Sequence, residues 1–103
     1  MYTIEEFKKI NRLEGIIVTQ HSRKRFAERQ ISIDDIMAVI NSGEIIEQYT
    51  EDYPFPSCLI FGCSGSRSIH LVASIDEDMI YIITAYVPSP DKWESGWRRR
   101  KGE

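Results

Sequence analysis

Apolar residues recur with helical spacing over the first 43 residues of the chain and alternate with polar residues after that. Thr3 and Glu6 have the spacing of a capping box, and apolar positions follow every three or four residues as far as Leu13. Gly15 then offers a helix stop. The pattern predicts a first helix over about residues 3–13.

Two further helices are predicted before the period changes. After the short apolar stretch Ile16–Val18, a second helix is expected to begin at Thr19 or Gln20 and to run to residue 29. Ser32, with an aspartate at the capping-box position, opens a third helix that ends at Gly43. The short connection between the two predicts a tight helical pair.

The alternating part of the chain predicts four strands, near residues 45–49, 57–62, 68–75 and 79–87. Short polar loops join the last three as hairpins. The predicted fold class is therefore α+β, with the N-terminal helices packed on one face of an antiparallel β-meander of about four strands. The length of 103 residues allows one hydrophobic core, so residues 1–103 are expected to form a single domain.

The register of the last hairpin decides which side chains share a face. A three-residue loop at residues 76–78 would place His70 opposite Thr84, and Ser68 opposite Tyr86. These four side chains are expected on one mixed face, either as a polar packing cluster or as part of a reactive site. The other face is predicted to pack on the helices and collects apolar residues: Leu59, Phe61, Ile69, Leu71, Ala73, Ile75, Met79, Tyr81, Ile83 and Ala85.

Composition places the chain among ordinary globular proteins, with 42% hydrophobic and 28% charged residues. No apolar run approaches the roughly 20 residues that span a bilayer, and the first residues lack the apolar core of a signal peptide. We therefore expect a cytoplasmic protein without membrane contact. Cys58 and Cys63 should point to opposite faces of one strand, so no metal site and no cofactor is expected.

The formal net charge of -3 conceals a segregation of charge along the chain. Residues 31–66 contain no lysine or arginine, whereas residues 20–30 carry four cations and residues 98–101 carry four more. A local basic patch attracts an anion over about 8 to 10 Å, whatever the distant charges sum to. Two basic patches are thus expected on an acidic protein, either as solvated surface or as anion-binding sites.

The second predicted helix aligns four polar side chains along one stripe. His21, Arg25, Glu28 and Arg29 follow one another at intervals of four, three and one residues. A simple exposed stripe would gain only a few tenths of a kcal/mol from pairing Arg25 with Glu28. A histidine, two arginines and a glutamate on one side of a helix are also the residue types that phosphate chemistry uses.

Several segments of the chain resemble a known family: QHSRKRFAERQIS, IDDI, GEIIEQY, PSCLIFG, HLVAS, ITAYVPSPDKW and RRR. Together they closely resemble the family called domain of unknown function 4258, over about residues 18–101. That family looks related to the RelE-like and barnase-like toxin ribonucleases, which act without a metal and whose antitoxin partners include zinc-finger proteins. Val87 stands where the family's ITAYEP pattern has an acid.

The resemblance implies a metal-independent endoribonuclease of toxin-antitoxin type, with a RelE-like or barnase-like fold. It implies His21, Arg25, His70 and Tyr86 as catalytic residues. It implies Glu28, Arg29 and Thr84 as residues that bind substrate. Imidazole titrates near pH 6.5 and can act as acid or base, while arginine can hold the phosphate through two hydrogen bonds.

The sequence is also compatible with two other functions. The basic stripe could serve a binding module without chemistry, which contacts an acidic protein partner or a nucleic acid. The second and third helices could also form a helix-turn-helix that reads DNA. Asp34 and Asp35 at the start of the third helix argue against that function, because they would face phosphates.

Overall fold

A computed structural model describes residues 1–102, and its helices begin where the capping residues predict. Helix α1 spans Ile4–Ile10, α2 spans Gln20–Glu28 and α3 spans Ile33–Ser42. Their caps are Thr3, Thr19 and Ser32, each of which accepts a backbone N–H of the first turn through its side chain. Within residues 1–102, no helix is long and apolar enough to cross a membrane.

The first helix ends earlier than its apolar spacing predicts. It stops at Ile10, and Leu13–Gly15 forms a separate 3₁₀ turn. The chain leaves the helix at Asn11, whose side-chain amide donates a 2.9 Å hydrogen bond to the carbonyl of Met37 in α3. This contact ties the end of α1 to α3.

The sheet has five strands and is mixed, which corrects the expectation of an antiparallel meander of about four. The strands are β1 (Ile16–Val18), β2 (Glu44–Tyr49), β3 (Ser57–Ser64), β4 (Arg67–Asp76) and β5 (Met79–Tyr86). Their order across the sheet is β1-β5-β4-β3-β2. The last four strands do form an antiparallel meander, but β1 is added parallel to β5. A three-residue strand has too few positions to display a period, and its partner lies more than 60 residues away.

The predicted register of β4 against β5 is wrong. Only Glu77 and Asp78 form the turn, and their φ angles of 49° and 63° suit the two-residue hairpin whose central residues both have positive φ. A bulge at Ile83 then shifts the register once more, so His70 lies opposite Tyr86 and not opposite Thr84. Thr84 lies opposite Val72.

The helices cover one face of the sheet, here called the inner face. Phe7, Phe26, Ile36, Val39 and Ile40 of the helices pack there against Cys58, Ile60, Ile69, Leu71, Ala73, Ile80, Ile82 and Ala85. The predicted core face is thus correct for β4. It is wrong for Leu59, Phe61, Met79 and Tyr81, which pair with residues of the opposite, outer face. It is also wrong for Ile83, the bulge residue, which is exposed. His70, Thr84 and Tyr86 do share the outer face, as predicted.

The last part of the chain folds back over the outer face. In this C-terminal segment, residues 88–102, Trp93 and Arg100 form a bridge, and the amide of Lys101 donates to the carbonyl of Lys92 at 2.9 Å. The Trp93 side chain is buried. One part of the outer face is therefore closed to solvent, and its covering segment has its own hydrogen bonds.

Gly62 lies where α3 crosses β3. A β-carbon there would lie 2.3 Å from the carbonyl oxygen of Val39 and 2.9 Å from its Cα. Since backbone cannot yield as a flexible side chain can, we expect Gly62→Ala to lower the free energy of unfolding by about 1–3 kcal/mol in urea titrations. Ser66→Ala, in the exposed turn after β3, is the control. Equal urea midpoints for the two variants would contradict this account of the packing.

Candidate functional site

The predicted site residues fall into two groups. His21, Arg25 and Glu28 are exposed on α2, and Arg29 is its C-terminal cap. The other group, on the outer face, comprises His70, Thr84 and Tyr86, of which only Thr84 is linked to α2.

The inward side of α2 determines where its polar side chains lie. Ser22 and Phe26 are the buried residues of this helix. Because the helix turns 100° per residue, His21, Arg25 and Arg29 project along the flank next to Ser22. We call this flank the basic stripe. Glu28 lies beside it.

Two hydrogen-bonding side chains hold the basic stripe against β5. The parallel strand β1 ends at Val18, opposite Ile82, so the edge of β5 beyond Ile82 has no neighbouring strand. Ser22 Oγ donates to the carbonyl of Ile83 at 3.4 Å, and Arg29 Nη1 donates to the carbonyl of Ala85 at 2.7 Å. These bonds satisfy carbonyl groups of a sheet edge that would otherwise need water.

Arg29 also connects the basic stripe to the outer face. Its Nη1 lies 3.3 Å from Thr84 Oγ1, so two of the three residues predicted to bind substrate meet. Because Arg29 is already engaged with the sheet, it positions the stripe, and Arg25 is the arginine left to meet a ligand.

The cations of α2 differ from others of the chain in having no acidic partner. Arg12, Arg67, Arg98 and Arg100 each form a salt bridge. Among residues 1–102, no salt bridge involves a residue of α2 or its cap. The positive charge of α2 is therefore available to an external anion.

His70 lies in a closed aromatic pocket beneath the C-terminal segment. Its side chain is 0% exposed, and the rings of Phe61, Tyr86 and Trp93 meet it edge to face at 5.9, 5.3 and 4.3 Å. Nε2 lies 2.8 Å from the carbonyl oxygen of Trp97, which can only accept, so Nε2 carries the proton. Nδ1 then accepts from Tyr86 Oη at 3.2 Å.

Burial lowers the pKa of His70, although the carbonyl of Trp97 and the charge of Glu47 act against it. The imidazole is thus neutral at pH 7 and has both nitrogens satisfied. In this state His70 stabilises the packing of the C-terminal segment and is closed to a substrate.

A second polar cluster beside His70 anchors the same segment. Arg100 donates to Glu47 through Nε at 3.0 Å and Nη2 at 3.1 Å, and it stacks over Trp93 at 4.7 Å. Tyr49 also donates to Glu47. Burial and the hydrogen bond to Glu47 raise the pKa of Tyr49 to about 12. Burial alone would raise the pKa of Glu47, but hydrogen bonds from Arg100 and Tyr49 lower it overall.

The cluster of Glu47, Tyr49 and Arg100 was missed by sequence reasoning. Glu47 and Tyr49 are two residues apart on one strand, so their shared face was predictable. Their partner Arg100 was visible only as part of a basic run, with nothing to indicate which acid it meets.

His21 and His70 are not brought together in this arrangement. His21 is exposed on α2, whereas His70 is covered on the outer face by Trp93 and Trp97. Among residues 1–102, no three histidine, cysteine, aspartate or glutamate side chains are grouped so that they could hold a metal ion. Cys58 is buried in the core and Cys63 is exposed, both as free thiols.

The lowered pKa of His70 predicts a pH-dependent stability. The unfolded chain takes up a proton near pH 6.5 while the folded chain resists it, so stability is complete above pH 6.5 and falls as the pH decreases towards the folded-state pKa. Between pH 7.5 and 5.5 this one group can remove at most about 1.4 kcal/mol. At pH 7.5 we expect a lower urea midpoint for His70→Asn than for the unchanged protein. Between pH 7.5 and 5.5 the midpoint of the variant should change less than that of the unchanged protein. Ser66→Ala, at an exposed residue that does not titrate, is the control and should keep the slope of the unchanged protein. An equal slope in His70→Asn would contradict the assignment.

Comparison with known proteins identifies a family. The profile of the family described as "Domain of unknown function (DUF4258)" matches residues 18–87. The match contains α2, α3 and the four strands of the meander, and it ends before the C-terminal segment. No curated protein and no solved structure matches the chain. Since the family profile covers more than half of its residues, the chain belongs to the DUF4258 family.

Proposed function

We propose that this protein binds RNA, with the phosphate groups of the strand along the basic stripe of α2. The observation that carries the proposal is the contrast in charge pairing. Four of the five arginines outside α2 and its cap, namely Arg12, Arg67, Arg98 and Arg100, form salt bridges with carboxylates, while the cations of α2 form none among residues 1–102. Arginine suits phosphate because its planar guanidinium donates two parallel hydrogen bonds.

The negative net charge of the chain does not oppose RNA binding on the basic stripe, because surface charges act over short distances. Glu44 and Glu47 of β2 are neutralised by Arg98 and Arg100, with contacts of 2.5 and 3.0 Å. Fields of unpaired surface charges decay over about 8 to 10 Å at physiological salt, so a phosphate next to α2 senses mainly the cations there. Local charge therefore favours an anionic partner.

Cleavage of the bound RNA is a second candidate function, and His21 favours it. This imidazole is exposed and one helical turn from Arg25, so one flank offers both an acid or base and a phosphate-binding cation. Metal-free cleavage needs a base for the 2′-hydroxyl, cations on the phosphate and an acid for the leaving oxygen. The proposed relation to RelE-like and barnase-like toxins, with an antitoxin partner, belongs to this candidate.

Of the two candidates, binding has the stronger geometric support. A two-histidine mechanism needs RNA to reach His70, whose ring is covered by Trp93 and bonded to Trp97. Binding to the basic stripe needs no movement of the C-terminal segment.

The charge of Arg25 provides the test of RNA binding. We expect Arg25→Ala to weaken the affinity for a mixed RNA oligonucleotide and to reduce the slope of log K against log salt by about 1, because one counterion fewer is released. Fluorescence anisotropy over a salt series measures both quantities. Lys9→Ala removes an equal charge from α1 and should leave the slope unchanged. Absence of RNA binding at low salt would refute the proposal and favour an acidic protein as the partner of the stripe.

Cleavage is tested with purified protein and a mixed RNA pool in EDTA. If His21 and His70 act as base and acid, His21→Ala and His70→Ala should each lower the cleavage rate by about 10²-fold or more. Circular dichroism and urea midpoints check that each variant is folded, since His70 is buried. Lys24→Ala, on another side of α2, should change the rate little. Cleavage that survives both histidine substitutions would refute these residues, and an unchanged protein that never cleaves would leave binding alone.

A further inference from the structure

A groove of about 480 Å³ opens on the outer face, beside the start of α2. Its lining includes Thr19, which caps α2, Ser22 of that helix, Ser74 of β4, Tyr81 of β5, and Asp52 and Phe55 of the loop between β2 and β3. No residue of the C-terminal segment lines it. Its volume lies in the range of about 300 to 1,000 Å³ that is usual for small-ligand sites.

A serine hydroxyl belongs to the wall of this groove. Ser74 is 4% exposed and is one of the polar residues of β4 and β5 that line the groove. A hydroxyl can donate one hydrogen bond and accept others. Ser74 therefore offers a donor and an acceptor to whatever fills the groove.

The mouth of the groove carries exposed aromatic and aliphatic side chains. Tyr53 is 95% exposed, and Phe55 and Ile83 are 46% and 48% exposed. All three line the groove. An exposed group of large apolar side chains is typical of an interaction site, and aromatic rings at such a mouth are suited to stack on a flat partner.

The groove is continuous with the basic stripe. Ser22, which lines the groove, donates to the carbonyl of Ile83, and Arg29 bonds two residues further along the same edge. Cations and aromatic rings therefore occur side by side, the combination found where single-stranded nucleic acids bind.

We propose that the groove receives one unpaired base of the RNA strand whose phosphates lie on the basic stripe. This inference rests on the proposed function. Tyr53 stacks on the base, Ser74 bonds its edge, and Asp52 selects its identity. One carboxylate oxygen of Asp52 accepts from Ser57 Oγ at 2.6 Å, which leaves the other for the ligand.

Asp52 predicts which bases are preferred. A carboxylate can only accept hydrogen bonds, so it favours bases with an exocyclic amino group, as aspartate does with N4 of cytosine. Uracil presents a carbonyl oxygen at the same position and would meet the carboxylate with repulsion. The geometry thus predicts a preference for cytosine over uracil, two bases of equal size.

The experiment uses the full chain and two labelled RNA octamers, one of cytidine and one of uridine, in anisotropy titrations at low salt. We expect the cytidine octamer to bind at least about 5-fold more tightly. Asp52→Asn should remove this difference, because an amide can donate to uracil. Tyr53→Ala should weaken both complexes by about 5-fold or more through lost stacking. Leu13→Ala, at an exposed apolar residue outside the groove, is the control and should change neither affinity.

Failure of the base subsite and failure of RNA binding itself would give different results. Equal affinity for both octamers, or unchanged affinity in Tyr53→Ala, would refute the base subsite; a loss in Arg25→Ala would then still support binding on the stripe. A partner protein in the groove would give that same unchanged RNA affinity. No binding of either octamer by the unchanged protein would refute the proposed function together with the subsite.

Discussion

The short length of β1 is the constraint on which the rest of the candidate site depends. A parallel strand of three residues covers β5 only as far as Ile82, and the carbonyl groups beyond that point need other donors. Ser22 and Arg29 supply them from α2. The helix is therefore fixed with one flank along the open edge, and this flank carries His21 and Arg25. A longer β1 would pair the edge of β5 and remove the reason for this orientation.

The outer face is divided between a closed part and an open part. In the closed part, His70 and Glu47 have all the features of reactive groups, namely burial, shifted pKa values and charged neighbours. Their partners are nevertheless all internal, and they hold the C-terminal segment in place. Perturbed pKa values can arise from structural networks as well as from active sites, so accessibility separates the two parts here. The open part contains the groove that Ser74 lines, and no residue of the C-terminal segment covers it.

Local signals in the sequence predicted the helices. They did not predict the register of the sheet, which depends on the length of the turn and on the position of the bulge. Capping residues such as Ser32 mark a helix start through bonds within four residues, so they could be recognised directly. The segment Asp76–Asp78 does not reveal whether two or three of its residues form the turn, and no residue type announces the bulge at Ile83.

The two register errors had opposite consequences at the two ends of the hairpin. Near the turn, the loop has two residues where three were predicted. The pairing is therefore shifted by one residue, and Tyr81 lies on the outer face instead of the predicted inner face. Beyond the bulge, a second shift restored the predicted face but not the predicted pairs, because Tyr86 lies opposite His70 and Thr84 lies opposite Val72. The shared face of the candidate residues was thus predictable although their pairing was not.

The C-terminal segment was beyond sequence reasoning for a different reason. Its contacts join residues more than 50 positions apart, such as Arg100 with Glu47 and Arg98 with Glu44, and it forms no regular element that a period could reveal. The basic run was recognised as charge, but its pairing with β2 was not. That pairing alters the electrostatics of the whole molecule, because it removes two cations and two acids from the set of free charges. In the folded chain, Arg98 and Arg100 neutralise Glu44 and Glu47 of β2, and the unpaired positive charge of α2 lies beside the open groove.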